Sequence, residues 1–232
     1  MKIETLADAD AVARAGAAFT AAEARTAISA RGRFIVAFSG GHTPWTMLRA
    51  LADEQVPWTG VHVVQVDERV APAEDPDRNL RHLRESLLAH CPLPPEHVHA
   101  MPVESADLEA ASERYAATLR GLAGSPAILD LAHLGLGPDG HTASLVPGDP
   151  VLDVTDADVA PTGTYQGRRR ITLTYPMLNR SRRVLWLVTG SDKAEMLARL
   201  TAGDRSIPAG RISQQQAVVL ADREAAARLG TS

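Results

Sequence analysis

Apolar residues in this chain gather into short unbroken runs, separated by stretches in which they recur at helical spacing. Short runs bounded by turn residues mark strands buried on both faces, and the helical spacing marks amphipathic helices. Residues 6–31 are Ala-rich, with Leu6, Val12, Phe19 and Ile28 along them, and predict a long helix that Gly32 ends. Phe34 to Phe38 reads as a buried strand. Thr43 is placed to cap a helix with Pro44 at its first position and Met47, Leu48 and Leu51 on its apolar face. Further strands are expected at Val61–Val66, Ile128–Leu136, Arg170–Thr174, Val184–Val188 and Ala217–Leu220. Helices are expected at Asn79–His90, from a Ser105 cap to Leu122, at Ser191–Leu200 and at Asp222–Leu229. Tyr175–Asn179 reads as a turn or short helix, 71–79 as loop, and 151–161 as mixed in character. This alternation predicts an α/β fold: a doubly wound, mostly parallel, Rossmann-like sheet with helices on both faces. No repeat or linker interrupts it, so one domain is expected over 1–232.

Composition narrows the function. Apolar residues make up 45% and charged residues 22%, as in an ordinary globule, and the net charge is −4, which favours neither nucleic acid nor an anionic membrane as partner. Cys91 is the only cysteine, which excludes an intramolecular disulfide and Cys-rich zinc sites and reads as a structural thiol. The acidic start (Glu4, Asp8, Asp10) does not resemble a signal peptide, and no apolar run approaches the ~20 residues of a membrane span. A cytoplasmic location is the expectation.

Four clusters fall where strands give way to helices. Ser39-Gly40-Gly41-His42-Thr43-Pro44 puts glycines and free backbone N–H groups at a helix start, a setting that attracts phosphate; no Lys follows, so it is not a Walker loop. Asp67-Glu68-Arg69 follows a strand directly, and Arg69 can grip phosphate or carboxylate. Gly135-Leu136-Gly137-Pro138-Asp139-Gly140-His141 places an Asp and a His on a glycine turn at the end of an apolar run, which suggests acid–base chemistry on a small substrate. Its Gly-x-Gly-x-x-Gly spacing matches a dinucleotide fingerprint, but Pro147 arrives too soon for the helix that fingerprint requires. The fourth cluster is basic: Arg168-Arg169-Arg170, then Arg180, Arg182 and Arg183, with Lys193 after the Val184–Val188 strand. Most of these charges read as solvated, with Arg170 and Lys193 placed to reach a phosphate. The remaining histidines lack metal-ligand spacing; His97 and His99 share a strand face, but no third ligand is evident, and no metal is expected.

In this order the clusters resemble the 6-phosphogluconolactonase family. Ser-Gly-Gly-x-Thr-Pro at 39–44, Asp-Glu-Arg at 67–69, Gly-x-Gly-x-Asp-Gly-His-Thr-Ala-Ser-Leu at 135–145 and Gly-x-x-Lys at 190–193 all match. The third motif is quite specific; the others are weak alone. The family usually continues Leu-Phe-Pro-Gly, and here Val146 replaces the Phe. The wider superfamily includes glucosamine-6-phosphate isomerases (deaminases), which carry a Glu at the position of Val146 and Ile-Ala-Phe after the His where this chain has Thr-Ala-Ser. Both differences favour the lactonase.

The resemblance implies a sheet of sugar-phosphate isomerase type. It also implies hydrolysis of 6-phospho-D-glucono-1,5-lactone to 6-phosphogluconate, the second step of the oxidative pentose phosphate pathway, with no cofactor; a monomer or small homo-oligomer is the expectation. On that reading His141 is the general base for water attack at C1, so the rate should fall as pH drops below an imidazole pKa, nominally ~6.5. Asp139 or Asp67 orients His141 or its water. Ser39, Gly40, Gly41 and Thr43, with Arg69, Arg170 or Lys193, divide phosphate and oxyanion between them. Three alternatives are a Ser39 or Ser144 nucleophile, an amino-sugar-phosphate isomerase, and a non-catalytic sugar-phosphate sensor. The last normally carries a DNA-binding module that residues 1–32 do not offer.

Overall fold

A computed structural model describes residues 1–230, so the last two positions of the expected 1–232 domain lie outside the described residues. The strands are β1 (Lys2–Leu6), β2 (Phe34–Phe38), β3 (Val61–Gln65), β4 (Asp67–Arg69), β5 (Val98–His99), β6 (Leu131–Gly135), β7 (Val159–Pro161), β8 (Arg170–Leu173), β9 (Val184–Val188) and β10 (Ala217–Asp222). The α-helices are α1 (Ala9–Arg31), α2 (His42–Ala52), α3 (Asn79–Leu83), α4 (Leu108–Ala123), α5 (Tyr175–Asn179) and α6 (Ala194–Thr201).

Seven strands form a parallel sheet in the order β1-β10-β9-β6-β2-β3-β5. Alternate residues of β2 serve opposite faces. Phe34, Val36 and Phe38 join the apolar layer under α1 and α2, while Ile35 and Ala37 join the layer under α4. The chain winds outward from β2 through β3 to β5 on one side and from β6 through β9 to β10 on the other. The order therefore reverses between β2 and β6, and in open α/β sheets ligands bind beyond the strand ends at such a reversal.

A second sheet, absent from the sequence reading, is antiparallel and runs β4-β8-β7. After β3 the chain leaves the main sheet, and Asp67 and Arg69 pair with Thr172 and Arg170. The expected strand at 170–174 is real but belongs here.

Local signals account for the other departures. β1 is an exposed edge strand with little apolar pattern, and the long helix starts only at Ala9, where the Asp8 carboxylate accepts from the Ala11 N–H at 2.8 Å. Asp107, not Ser105, caps α4, accepting from Ala110 N–H at 3.0 Å. The helix expected at 79–90 is the short α3 followed by one wider π-type turn, Arg84–Leu88. The helix expected from Ser191 begins at Ala194 after a single tight turn, and the expected last helix is only a turn at Ala225–Arg228, because β10 continues through Asp222.

Candidate active site

A cleft of about 340 Å³ opens at the carboxyl ends of β2 and β6. Ser39, Gly40, Gly41, Thr43, Asp67, Arg69, His141, Arg170 and Lys193 all line it. Asp139 does not line it and meets it only through His141. Thr43 does not cap α2: the cap position is Gly41, no side chain serves it, and Thr43 Oγ1 shares a hydrogen bond with Thr189 Oγ1 at 2.7 Å. The first N–H groups of α2 thus face the cleft without an intrahelical partner.

His141 sits on the turn after β6. Its Nδ1 lies 2.5 Å from Asp139 Oδ1, which also accepts from the His141 backbone N–H at 3.1 Å. Burial opposes ionisation of Asp139, but the backbone N–H and the imidazole of His141 outweigh it and hold the carboxyl below the usual carboxylate range. A carboxylate at Nδ1 keeps the proton there and leaves the Nε2 lone pair free. The ring lies against Gly137, where a Cβ would fall 2.1 Å from Nδ1.

Asp67 shares no hydrogen bond with His141. It is buried and accepts from Ser144 Oγ at 2.5 Å and Asn79 Nδ2 at 3.4 Å. Ser39 Oγ donates to the His133 carbonyl at 2.8 Å. Both candidate serine nucleophiles are thus engaged away from the imidazole.

The two arginines meet because β4 and β8 pair: Arg69 stands opposite Arg170. One Arg69 Nη donates to the Asp77 carbonyl at 2.6 Å and to Asn79 Oδ1 at 2.7 Å. Arg170 is 5% exposed, lies 5.0 Å from the centroid of the Tyr165 ring, and leaves its Nε buried without a protein partner. Burial, with the charge of Arg69, holds Arg170 below the usual guanidinium range against the pull of Asp67. Lys193 Nζ pairs with Asp192 at 2.8 Å. The other basic residues serve elsewhere: Arg168 binds Asp75, Arg180 binds Asp158, Arg182 binds Asp130 and Arg183 binds Glu23.

Two residues escaped the sequence reading. Asn79 touches both Asp67 and Arg69, and a Cβ on Gly40 would fall 1.9 Å from its Oδ1. Tyr165 donates from its hydroxyl to Asp139 Oδ2 at 3.4 Å. Underneath, Glu68 is fully buried, pairs with Arg78 at 3.2 Å and accepts from the Asn79 and Leu80 N–H groups, which fixes the start of α3.

Comparison with known proteins assigns the family. The model for glucosamine-6-phosphate isomerases/6-phosphogluconolactonase matches residues 7–221. The chain belongs to this family. It is 37% identical to the 6-phosphogluconolactonase of Mycobacterium tuberculosis over 98% of each chain. The crystal structure of 6-phosphogluconolactonase from Thermotoga maritima superposes with a TM-score of 0.84 at 28% identity, covering 95% of this chain and 98% of that one. A monomeric glucosamine-6-phosphate deaminase superposes equally well, TM-score 0.86 at 21% identity over 98% and 100% of the two chains, so the family fold hosts both chemistries. Val146, the position at which the resemblance set lactonase apart from deaminase, is a buried apolar residue here.

Elsewhere in this family member, His62, His97 and His99 gather at the β3–β5 edge, with His62 Nδ1 3.2 Å from His99 Nε2 and its ring centroid 4.0 Å from that of His97. Burial, then the neighbouring histidines, pushes His62 down to about 4. Among the described residues no group of three or more His, Cys, Asp or Glu is arranged to hold a metal ion, and no helix is long and apolar enough to cross a membrane.

Proposed function

We propose that the chain hydrolyses 6-phospho-D-glucono-1,5-lactone to 6-phospho-D-gluconate with His141 as general base. The observation that carries this reading is the 2.5 Å His141–Asp139 pair opening onto a cleft walled by Arg69 and Arg170. His141 Nε2 takes a proton from water as its oxygen bonds to C1. The carbonyl electrons move to oxygen, and their charge meets the two guanidinium groups. As the carbonyl re-forms, the C1–ring oxygen bond breaks and the imidazolium returns its proton to the departing oxygen, leaving a carboxylic acid that ionises to solvent. Asp139 holds the imidazole and stabilises its charged form; base help of this kind is worth ~10²–10⁴-fold.

Phosphate is assigned to the other end of the cleft. The Thr43–Thr189 hydrogen bond draws the Lys193 turn against the start of α2, so Ser39, Gly40, Gly41 and Thr43 with Lys193 form an anion cradle. Asp67, held by Ser144 and Asn79, anchors the wall between base and arginines and does not orient the imidazole. Residues 1–232 are proposed to work as one domain, on the oxidative pentose phosphate pathway, in the cytoplasm.

The test is hydrolysis of freshly generated lactone, with spontaneous opening subtracted, by the wild type and His141→Ala. Acceleration that disappears in the variant supports the reading. Acceleration that survives removes His141 from the mechanism, and none with the wild type rejects the substrate.

A further inference from the structure

Between β7 and β8 the chain makes a tight hairpin. Tyr165 and Arg168 exchange backbone hydrogen bonds at 3.0 and 3.2 Å, and the two residues between them, Gln166 and Gly167, have φ of 51° and 77°. That is a two-residue loop of type I′, the kind whose twist matches paired strands. The hairpin is fastened at both ends. Gly163 N–H donates to Asp149 Oδ2 at 2.9 Å, and Arg168 pairs with Asp75 at 2.9 Å and Asp77 at 3.2 Å. An L-residue held at positive φ and a loop tied at three points fix where Tyr165 stands.

From that position Tyr165 touches both working halves of the cleft. Its hydroxyl donates to Asp139 Oδ2 at 3.4 Å, the carboxylate oxygen that His141 does not use. Its ring meets the His141 ring edge-on, with centroids 5.6 Å apart. The Arg170 guanidinium lies 5.0 Å from the same ring's centroid, and Arg170 also reaches Gln166 Oε1 at 3.4 Å. Asp139 and His141 come from the turn after β6 in the main sheet, whereas Arg170 is in the second sheet. We propose that Tyr165 is a positioning residue that fixes the distance between the base pair and the oxyanion-facing guanidinium, through its hydroxyl on one side and its ring on the other. The inference rests on the mechanism proposed above for its catalytic meaning, but the contact itself is testable without substrate.

The substrate-free test is titration of the phenols. The chain has three tyrosines; burial pushes Tyr175 up to about 12 and Tyr115 higher still. Tyr165 is raised less, by burial first and then by Asp139, and is drawn back by Arg170, so it ionises first. The charged or titratable groups facing it are Asp139, His141 and Arg170. In Asp139→Asn the first phenolate midpoint should fall, and in Arg170→Ala it should rise. Opposite shifts show a phenol held between the carboxylate and the guanidinium; an unmoved midpoint in either variant overturns the proposal.

The kinetic test compares Tyr165→Phe, which keeps the ring, with Tyr165→Leu, which keeps bulk alone. Loss of one long, 3.4 Å, solvent-exposed hydrogen bond should lower kcat by ~3–10-fold in Tyr165→Phe with KM within about 2-fold. Tyr165→Leu should lose a further ~2–5-fold, the worth of the cation–π contact, and this second step should vanish in an Arg170→Ala background. A Tyr165→Phe kcat equal to wild type overturns the positioning role whether or not Tyr165→Leu folds. Opposite phenol shifts in a protein that leaves the lactone untouched reject the proposed substrate and keep the contact.

Discussion

Gly137→Ala isolates the position of the proposed base from everything else in the cleft. Gly137 does not need left-handed backbone, so alanine fits the local conformation, and both turn hydrogen bonds (Gly137 N–H to His141 O at 2.8 Å, Gly140 N–H to Gly137 O at 3.0 Å) survive. The added methyl would lie 2.1 Å from His141 Nδ1 and 2.2 Å from Cε1. Restoring ordinary contact moves the ring by roughly 1.3 Å, more than the 2.5 Å bond to Asp139 tolerates. The imidazole is at the end of a side chain on the cleft surface and can swing outward, so folding is spared, and reduced freedom of the unfolded chain returns about 0.4–1 kcal/mol. The base is displaced, and a misplacement of ~1 Å costs on the order of 10²-fold. Initial rates on fresh lactone should show kcat down ~100-fold with KM little changed, while urea unfolding places stability within about 1 kcal/mol of wild type. Gly140→Ala is the contrast: φ is +81° and a Cβ would meet Ile207 Cβ at 2.7 Å, so that variant should lose stability as well. A Gly137→Ala enzyme with kcat near wild type would refute the reasoning, because the chemistry would then not depend on where this imidazole sits.

Three other outcomes are expected. Asn79→Ala removes the acceptor for Arg69 and the donor to Asp67, so kcat should fall ~10-fold or more through a loosened guanidinium, read from lactone kinetics; wild-type kinetics would show that Arg69 is held by Asp77 alone. Lys193→Ala should mostly raise KM and Arg170→Ala mostly lower kcat; the reverse pattern would exchange the phosphate and oxyanion assignments. His133 is fully buried and held down to about 3 by burial, so below about pH 6.5 the unfolded chain takes up a proton that the folded chain refuses. Stability should therefore decline as pH falls from about 6.5 toward 3, by about 2 kcal/mol at pH 5 from this group, and His133→Asn, whose Oδ1 can still accept from Ser39 N–H, should flatten that slope in urea titrations; an unchanged slope would contradict a neutral buried imidazole.

The main sheet was legible because its strands are local facts. Phe34–Phe38 and Val184–Val188 are buried along their whole length, so each reads as an unbroken apolar run, and the glycines after β2 and β6 mark where the chain turns over the cleft. β1 was hidden because four of its five residues are exposed. The second sheet was hidden for a different reason: Asp67-Glu68-Arg69 pairs with residues about a hundred positions away, and nothing within either segment encodes that partner. The same contrast separates the two aspartates. Asp139 reaches the imidazole two residues on, within range of a local turn, whereas Asp67 is tied to Ser144, 77 positions distant. Asn79 and Tyr165 carry no motif; their meaning arises only from contacts 12 and 26 residues long.

Those long contacts are what make one site out of two sheets. The His141 loop belongs to the main sheet and Arg69 and Arg170 to the second, so neither sheet alone sets the distance from base to cation. The loop is laced to the second sheet by Ser144 Oγ to Asp67 at 2.5 Å, Ser144 N–H to Thr172 Oγ1 at 3.2 Å and the Tyr165 hydroxyl to Asp139 at 3.4 Å. Ser144 and Thr172 are fully buried, so the two bonds of Ser144 exchange against no water and break only at the cost of an unsatisfied polar group. Ala143 carries the strain of that lacing: its φ of 52° is the left-handed conformation an L-residue adopts when its surroundings over-determine it. An active site whose charges must develop within ångströms of fixed donors needs such over-determination. The strained residue falls between His141 and Ser144, where the proposed base meets the tether.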